Sequence, residues 1–324
     1  MKRRAVIAFL SGAVAALACP SAASAQKREA KIPRIGIIDD GPLWDYFRRG
    51  MRDAGFIDGQ TVPYAYRAAG GEPARLTAAA TELAALPVDL ISTYGTPASR
   101  AAKAATSTIP IVVISVGDPV RAGLVPSLAH PGGNVTGNTI LSPDLSPKRL
   151  QLIKEIIPSA VSIALLWNPD NVSNHVILEQ TRAAAPGLGL SFTAVEARNA
   201  SDFAGAFAIL ARERPDAVLL TSDPLHQSHI RSIVDFLIQN RLPGMFQTRD
   251  DAAAGGLVSY GASFRDMFWQ GAFFAQKILR GIKPADLPVQ TPQRFELVIN
   301  LKTAKAIGLT ISESVLLRAD AVIE

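Results

Sequence analysis

The stretch IPIVVIS (109–115), extended by Val116 and closed by Gly117-Asp118, is almost unbroken β-branched and aliphatic sequence. A run with no apolar/polar alternation reads as a strand covered on both faces, the condition of a parallel sheet between helical layers. The same signature recurs in RIGII (34–38), DLIST (89–93), SIALLW (162–167) and DAVLL (216–220). Amphipathic stretches separate these runs, over 43–54, 73–86, 97–106, 147–157 and 202–213. A further one, 263–280, places Phe264, Met267, Phe268, Gly271, Ala275 and Ile278 on one stripe and stops at Gly281. The expected class is α/β.

The alternation runs twice, over 34–135 and 148–247, without a close sequence repeat, which predicts two doubly wound lobes. ILSPDLSP (140–147), with prolines at 143 and 147, predicts an extended connection and no helix. HPGGNVTGNT (130–139) carries Gly132 and Gly137 at P-loop spacing, but Asn138 stands where that loop needs lysine. A phosphate cradle must also open a helix, so this stretch reads as a turn, a short strand and a crossing between lobes.

The first 26 residues begin with Lys2, Arg3 and Arg4, continue through an apolar run over 5–18, and reach Ala23-Ser24-Ala25 after Pro20. This pattern predicts a secretory signal peptide cleaved after Ala25, its apolar run too short to span a bilayer. Cys19, the single cysteine, falls inside that leader, and ALAC has Ala16 where a lipoprotein box usually has a large aliphatic residue. The mature chain then has no thiol, which excludes cysteine nucleophiles, thiolate metal sites and disulfides. Removing the leader takes Lys and Arg from 33 to 30 against 28 acidic residues, a net +2 and no nucleic-acid footprint.

In open parallel sheets ligands sit beyond the carboxyl ends of the strands. Here those ends carry Asp39 and Asp40, the run Ser92 to Thr96, Gly117-Asp118, Asn168, Ser222-Asp223 and Gln247. Two facing rims of hydrogen-bonding groups would line a cleft between the lobes. Thr96, before Pro97 at a helix start, suits either a helix cap or a carboxylate contact. Asp118 and Asp223, each before proline, suit either turns or the holding of an ammonium group. Trp44 is either an aromatic wall for the ligand or a core residue. No G-x-S-x-G or H-E-x-x-H motif occurs, and His226 and His229, three residues apart, have no signalled third ligand. The expectation is no catalysis, no metal and no cofactor.

ATSTIPIVVISVGDPVRAGLVPSLAHPGGNVTG (105–137) and DLPVQTPQRFELVINLKTAKAIGLTISESVLLRADAVIE (286–324) resemble secreted ABC-transporter substrate-binding proteins, the group related to tryptophan- and tyrosine-binding proteins. GFIDGQTVPYAYR (55–67) and LLWNPDN (165–171) fit the same pattern. The resemblance implies a type I periplasmic-binding-protein fold with crossings near 137–143, 256–262 and 288–295, and a long helix from Ser263 returning to the first lobe. It divides the chain into 32–138 with 262–288, and 139–261 with 289–324. It implies a periplasmic protein that closes on a small-molecule solute and docks on permease subunits in the inner membrane; no oligomer interface is visible in the sequence, so a monomer is expected. Carried over by position, the ligand-facing candidates are Tyr94, Thr96, Asp118, Asn138, Asn168, Asp223 and Gln247. DDGPLWDYF (39–47) lacks the His-Pro step of the amino-acid-binding branch, so the resemblance extends to a broader branch without a common solute. Two other functions use the same lobes: a ligand-sensing subunit for a membrane receptor, and a secreted hydrolase working through Asp118 and Asp223. A transcription regulator would need a DNA-binding segment where the leader stands.

Overall fold

The computed structural model describes residues 32–39, 41–140 and 145–324, and in it the strands form two separate sheets. The first is built from β1 (Ile35–Ile38), β2 (Tyr64–Arg67), β3 (Leu90–Tyr94), β4 (Ile111–Val116) and β5 (Val135–Thr139), all parallel, in the order β2-β1-β3-β4-β5. Helices α1 (Trp44–Asp53), α2 (Pro73–Ala85) and α3 (Gly95–Ala105) connect the first four strands. Winding reverses between β1 and β3, which opens a crevice at their carboxyl ends. The unbroken apolar run of β4 has a simple cause. Val112 and Ile114 face one core layer with Trp44 and Phe47, while Ile111, Val113 and Val116 face another with Leu76, Ala80 and Leu83.

The second sheet follows α4 (Leu145–Ile156). It contains β6 (Ser162–Trp167), β7 (Ser191–Glu196), β8 (Ala217–Leu220), β9 (Gly244–Phe246) and β10 (Val258–Ala262). Between these strands lie α5 (Asn174–Ala184), α6 (Phe203–Glu213), α7 (Pro224–Ser228), α8 (Ile230–Gln239) and α9 (Arg249–Ala253). After α10 (Phe264–Leu279) come β11 (Phe295–Asn300), α11 (Leu301–Ile307), α12 (Glu313–Leu316) and β12 (Ala321–Ile323), giving the order β12-β11-β10-β9-β8-β6-β7. Only the β10–β11 pair is antiparallel among the described residues.

Helix α10 leaves the second sheet and packs on α1 and β4 of the first. Its stripe of Phe264, Met267, Phe268, Ala275 and Ile278 joins the layer of Ile35, Ile37 and Phe47. Two glycines allow that approach: a Cβ on Gly271 would stand 2.5 Å from Ile114 Cδ1, and one on Gly50 would stand 2.8 Å from Ala272 Cβ. Beyond α10 the chain runs beside β5, where Gln290 N donates to Gly137 O at 3.0 Å and Thr139 N donates to Gln290 O at 2.9 Å. It then enters β11.

Two local readings change. The connection over 140–147 is not extended throughout, because α4 starts at Leu145 and admits Pro147 in its first turn, where a missing N–H breaks no helical bond. Val258–Ala262 is strand β10, so the passage to the first sheet comes at Ser263 rather than over 256–262. Asp40, residues 141–144 and the predicted leader lie outside the described residues. No helix among the described residues is long and apolar enough to cross a membrane.

Candidate functional site

The carboxyl ends of β3 and β4 face those of β6, β8 and β9 at very close range. Three glycines on the first side touch the second: a Cβ would lie 2.3 Å from Ser173 Cβ at Gly117, 2.7 Å from Pro224 Cγ at Gly95, and 2.7 Å from Leu225 N at Gly71. Thr96 Oγ1 and Ser173 Oγ share a hydrogen bond of 2.7 Å across this seam. Gly117 N donates to Thr96 Oγ1 at 3.2 Å, and Asp118 N donates to Ser173 Oγ at 3.2 Å. At the rim Arg121 grips Glu179 with both Nη atoms, at 3.1 and 3.0 Å.

A bulge in β4 shapes this edge. The pairing with β5 jumps between Val113 and Val116, and Ser115 adopts a left-handed φ of 56°. Gly137, at φ 141°, passes so near that a Cβ would lie 1.9 Å from Val113 O. Asn138 locks the bulge: its Oδ1 accepts from Ser115 N and its Nδ2 donates to Met267 O, both at 2.8 Å. Asn138 therefore positions the rim through one bond at each end of its buried amide.

Two connected compartments open along the seam, sharing Gly117, Ile140, Ser173 and Ile177 as walls. The central one, about 10 Å³, is lined by Tyr94, Thr96, Ser115, Asn174 and Ser222. Tyr94 Oη and Asn174 Oδ1 are both buried without a hydrogen bond of ordinary geometry among the described residues, the Ser222 hydroxyl standing close to the Tyr94 phenol. Buried polar atoms ordinarily find partners, so this pair marks an opening for an outside group. Burial, reinforced by the Asp251 and Asp223 carboxylates, holds the Tyr94 phenol well above its usual range, so it remains a neutral donor. The second compartment, about 40 Å³, lies toward the crossings and is lined by Asp118, Arg149, Gln180, Gln247, Ile140 and Phe264. Burial pushes the Arg149 guanidinium down to about 10, still protonated at neutral pH. A larger groove of about 430 Å³ lies outside, between Arg100 and Asp170, but its charged walls are exposed and hold no orphaned group among the described residues.

The other predicted residues divide by task. Asp223 caps α7 by accepting from Leu225 N at 3.0 Å, and takes further bonds from Asn168 Nδ2 at 3.3 Å, Asn171 Nδ2 at 2.7 Å and Asn174 Nδ2 at 3.0 Å. These four bonds engage both carboxylate oxygens and tie Asp223 into the edge of the second sheet. Its effect is to hold Asn174 with Oδ1 facing the central compartment. Asn168 belongs to this network and also accepts from Asp170 N. Asp118 Oδ1 accepts from Val120 N and Arg121 N in its own turn. Gln247 donates through Nε2 to Leu220 O at 2.7 Å. Asp39 binds the amides of residues 69–71. Trp44 is core, edge-on to Phe47 and Phe268. His226 and His229 bond to nearby carbonyls, and no group of three potential metal ligands exists among the described residues.

Ser173, Asn174 and Arg149 were not foreseen. Arg149 did leave a signal: it shares the i, i+4, i+7 stripe of Ile153 and Ile156 in α4, an arginine where the helix otherwise buries aliphatic side chains. Ser173 and Asn174 sit at an ordinary helix start, where their types predict capping alone.

The model of the family described as ABC transporter substrate binding protein matches residues 43–323. A tyrosine-binding protein from Clostridioides difficile is 28% identical over 264 residues, 81% of this chain and 75% of the relative. A crystal structure from Streptococcus pneumonia of an ABC domain in complex with L-Trp is 27% identical, covering 90% of this chain and 99% of its own, with a TM-score of 0.82. A substrate binding protein with adhesive properties from Clostridium difficile, in a ligand-free, open structure, is 25% identical over the same shares, yet its TM-score is 0.62. At nearly equal identity, the better fit to the L-Trp complex matches the direct contacts across the seam. More distant solute-binding proteins, at 13–14% identity, share the fold alone. The fold is of the type I periplasmic-binding-protein kind, the family binds solutes and is not enzymatic, and this chain belongs to the ABC transporter substrate-binding protein family.

Proposed function

We propose that this protein is the periplasmic receptor of an ABC importer, which traps a small amino-acid-like solute between its lobes and delivers it to membrane permease subunits. The observation that carries the reading is that Tyr94 and Asn174, from the two facing sheet edges, line one compartment with Tyr94 Oη and Asn174 Oδ1 both buried and without a hydrogen bond of ordinary geometry among the described residues. A solute bridging them would stabilise the closed arrangement over any open one, and closure by population shift follows from contacts made on both sides. The lobes are 32–139 with 263–288, and 145–262 with 289–324, the expected division moved by one residue at Thr139 and at Ala262, each of which lies in a strand of its own sheet. Tyr94, Thr96, Asp118 and Gln247 contact the solute, with Ser173, Asn174 and Arg149 added from the geometry. The tyrosine-binding relative and the L-Trp complex support an amino-acid-like cargo. The N-terminal 25 residues serve as a cleaved leader, and the mature chain acts as a monomer.

The test is thermal unfolding of the chain from Gln26 against amino acids, aromatic acids, sugars and purines. A ligand at about 100 times its dissociation constant adds roughly 2.7 kcal/mol, which raises the midpoint by several degrees. A shift confined to one class identifies the cargo. No shift with any class, and no ligand released on denaturing the purified protein, overturns the reading.

A further inference from the structure

We infer that Arg149 is the anion-recognition group of the cleft and that the solute is a small carboxylic acid. The inference rests on the solute-binding reading above and names the class of solute that the site takes.

Arg149 is 4% exposed on the apolar stripe of α4, where an aliphatic residue would pack at no electrostatic cost. Its Nε donates to Tyr260 O at 2.8 Å, the one hydrogen bond it makes to the described residues. A guanidinium has five N–H groups, so four remain to be satisfied. No carboxylate lies within ion-pair distance of it among the described residues; the buried Asp251 carboxylate acts on it from farther away and already accepts from Gln227 Nε2 and the amides of Gln247 and Thr248, and the Arg149 side chain forms a wall of the compartment beside Gln247 and Phe264. A buried cation without a directly paired counter-ion is costly, and the cost is recovered when an anion reaches its open Nη edge.

The geometry also selects the anion. Fixing Nε on Tyr260 leaves the paired Nη edge, whose fork matches the two oxygens of one carboxylate. Among the described residues Arg149 is the only lysine or arginine lining that compartment, so a single negative charge is matched and a phosphate dianion is not. Ile140, Ile177 and Phe264 supply apolar surface for the rest of the solute, and Asp118 on the same wall already engages its own turn through Oδ1. Tyr94 Oη and Asn174 Oδ1, in the adjoining compartment, receive the polar group at the far end.

The experiment compares matched ligands on the unmodified mature chain by calorimetry: L-tyrosine, L-tryptophan, 3-phenylpropionate and benzoate against their primary amides, and tyramine and tryptamine against the parent amino acids. Neutral polyols and purines form the control set. The expected result is that every binder carries a carboxylate and that its amide or decarboxylated form binds about 100-fold more weakly or worse. Arg149→Gln should show the same loss for the acid while keeping a cooperative unfolding transition, and Arg149→Lys should restore part of it. The inference is overturned, with solute binding intact, if an amide, amine, polyol or purine binds as tightly as any acid, or if folded Arg149→Gln keeps the acid's affinity. If Arg149→Gln does not fold, the acid-against-amide comparison decides alone. Absence of binding by every class, with no ligand released on denaturation, overturns the solute-binding reading and the inference together.

Discussion

Thr96 Oγ1 and Ser173 Oγ lie 2.7 Å apart although 77 residues separate them in sequence, one at the start of α3 and the other just before α5. The bond joins the first sheet's edge to the second's, so it belongs to the closed arrangement and to neither half alone. Thr96→Val keeps the side-chain shape, removes the bond, and leaves Gly117 N without its acceptor. A hydrogen bond contributes a net 0.5–1.5 kcal/mol or so. Solute affinity should therefore fall about three- to tenfold, with the unfolding midpoint of the free protein nearly unchanged. Ser173→Ala should give a similar loss, and the double variant less than the sum, because both changes break the same link. Titration calorimetry on the four proteins checks this.

Gly117 offers a sharper probe of closure. It is not among the glycines with left-handed φ, so alanine is compatible with its backbone, yet the added Cβ would lie 2.3 Å from Ser173 Cβ on the other side. Gly117→Ala should fold normally and hold the lobes apart. Small-angle scattering with saturating solute should then show a larger radius of gyration than for the unmodified protein, and affinity should fall at least tenfold or so, beyond the loss of one hydrogen bond. An unchanged radius with solute bound would mean that the seam yields by more than the packing at Ser173 implies.

Much of the fold was legible because parallel strands advertise themselves. The runs at β3, β4, β6 and β8 are unbroken for the reason seen in β4, whose alternate residues serve two core layers. The edge strands carried no such signal: β7 is mostly exposed and mixes Phe192, Ala194 and Val195 with Ser191, Thr193 and Glu196, and β12, though apolar, is only three residues long. The site was legible only as strand ends. Tyr94 and Thr96 stand at such an end and line the central compartment, whereas Asn138 lies at a strand end too but engages the β4 bulge and α10 through its amide. Sequence records that an amide sits at the rim; it does not record where the hydrogen bonds go. Ser173 matters because of a partner 77 residues distant, and nothing in its local sequence encodes that partner.

Asp223 and Asp118 were read alike from sequence, and their variants should now separate. Asp223 is 1% exposed and accepts four hydrogen bonds, so Asp223→Ala strands Asn168, Asn171, Asn174 and the Leu225 amide in a buried pocket. Each orphaned donor costs about 1–3 kcal/mol before relaxation. The expected total is several kcal/mol, read as a fall of roughly ten degrees or more in the unfolding midpoint. Asp118→Ala removes a turn-capping contact at a partly exposed position, worth about 1 kcal/mol. Chemical denaturation of the two variants side by side measures the difference, and equal losses would refute the contrast.

His226 gives the protein an acid-side weakness that can be assigned to one ring. It is 1% exposed, faces Phe203, and leaves Nε2 without a partner among the described residues. Burial lowers its pKa from 6.5, outweighing the nearby Asp223 carboxylate, which acts to raise it. A depressed folded value means that protons bind the unfolded chain more readily. The ring's contribution is therefore fully present above about pH 6.5 and is lost as pH falls through the lower folded value. The unfolding midpoint should drop between pH 7.5 and pH 5, and His226→Gln, which cannot take up the proton, should drop less. Glu179, whose carboxyl Arg121 holds below its usual range, stays ionised throughout this span in both proteins and does not enter the comparison. Parallel curves for the two proteins would show that His226 is already charged, or already solvated, in the folded state.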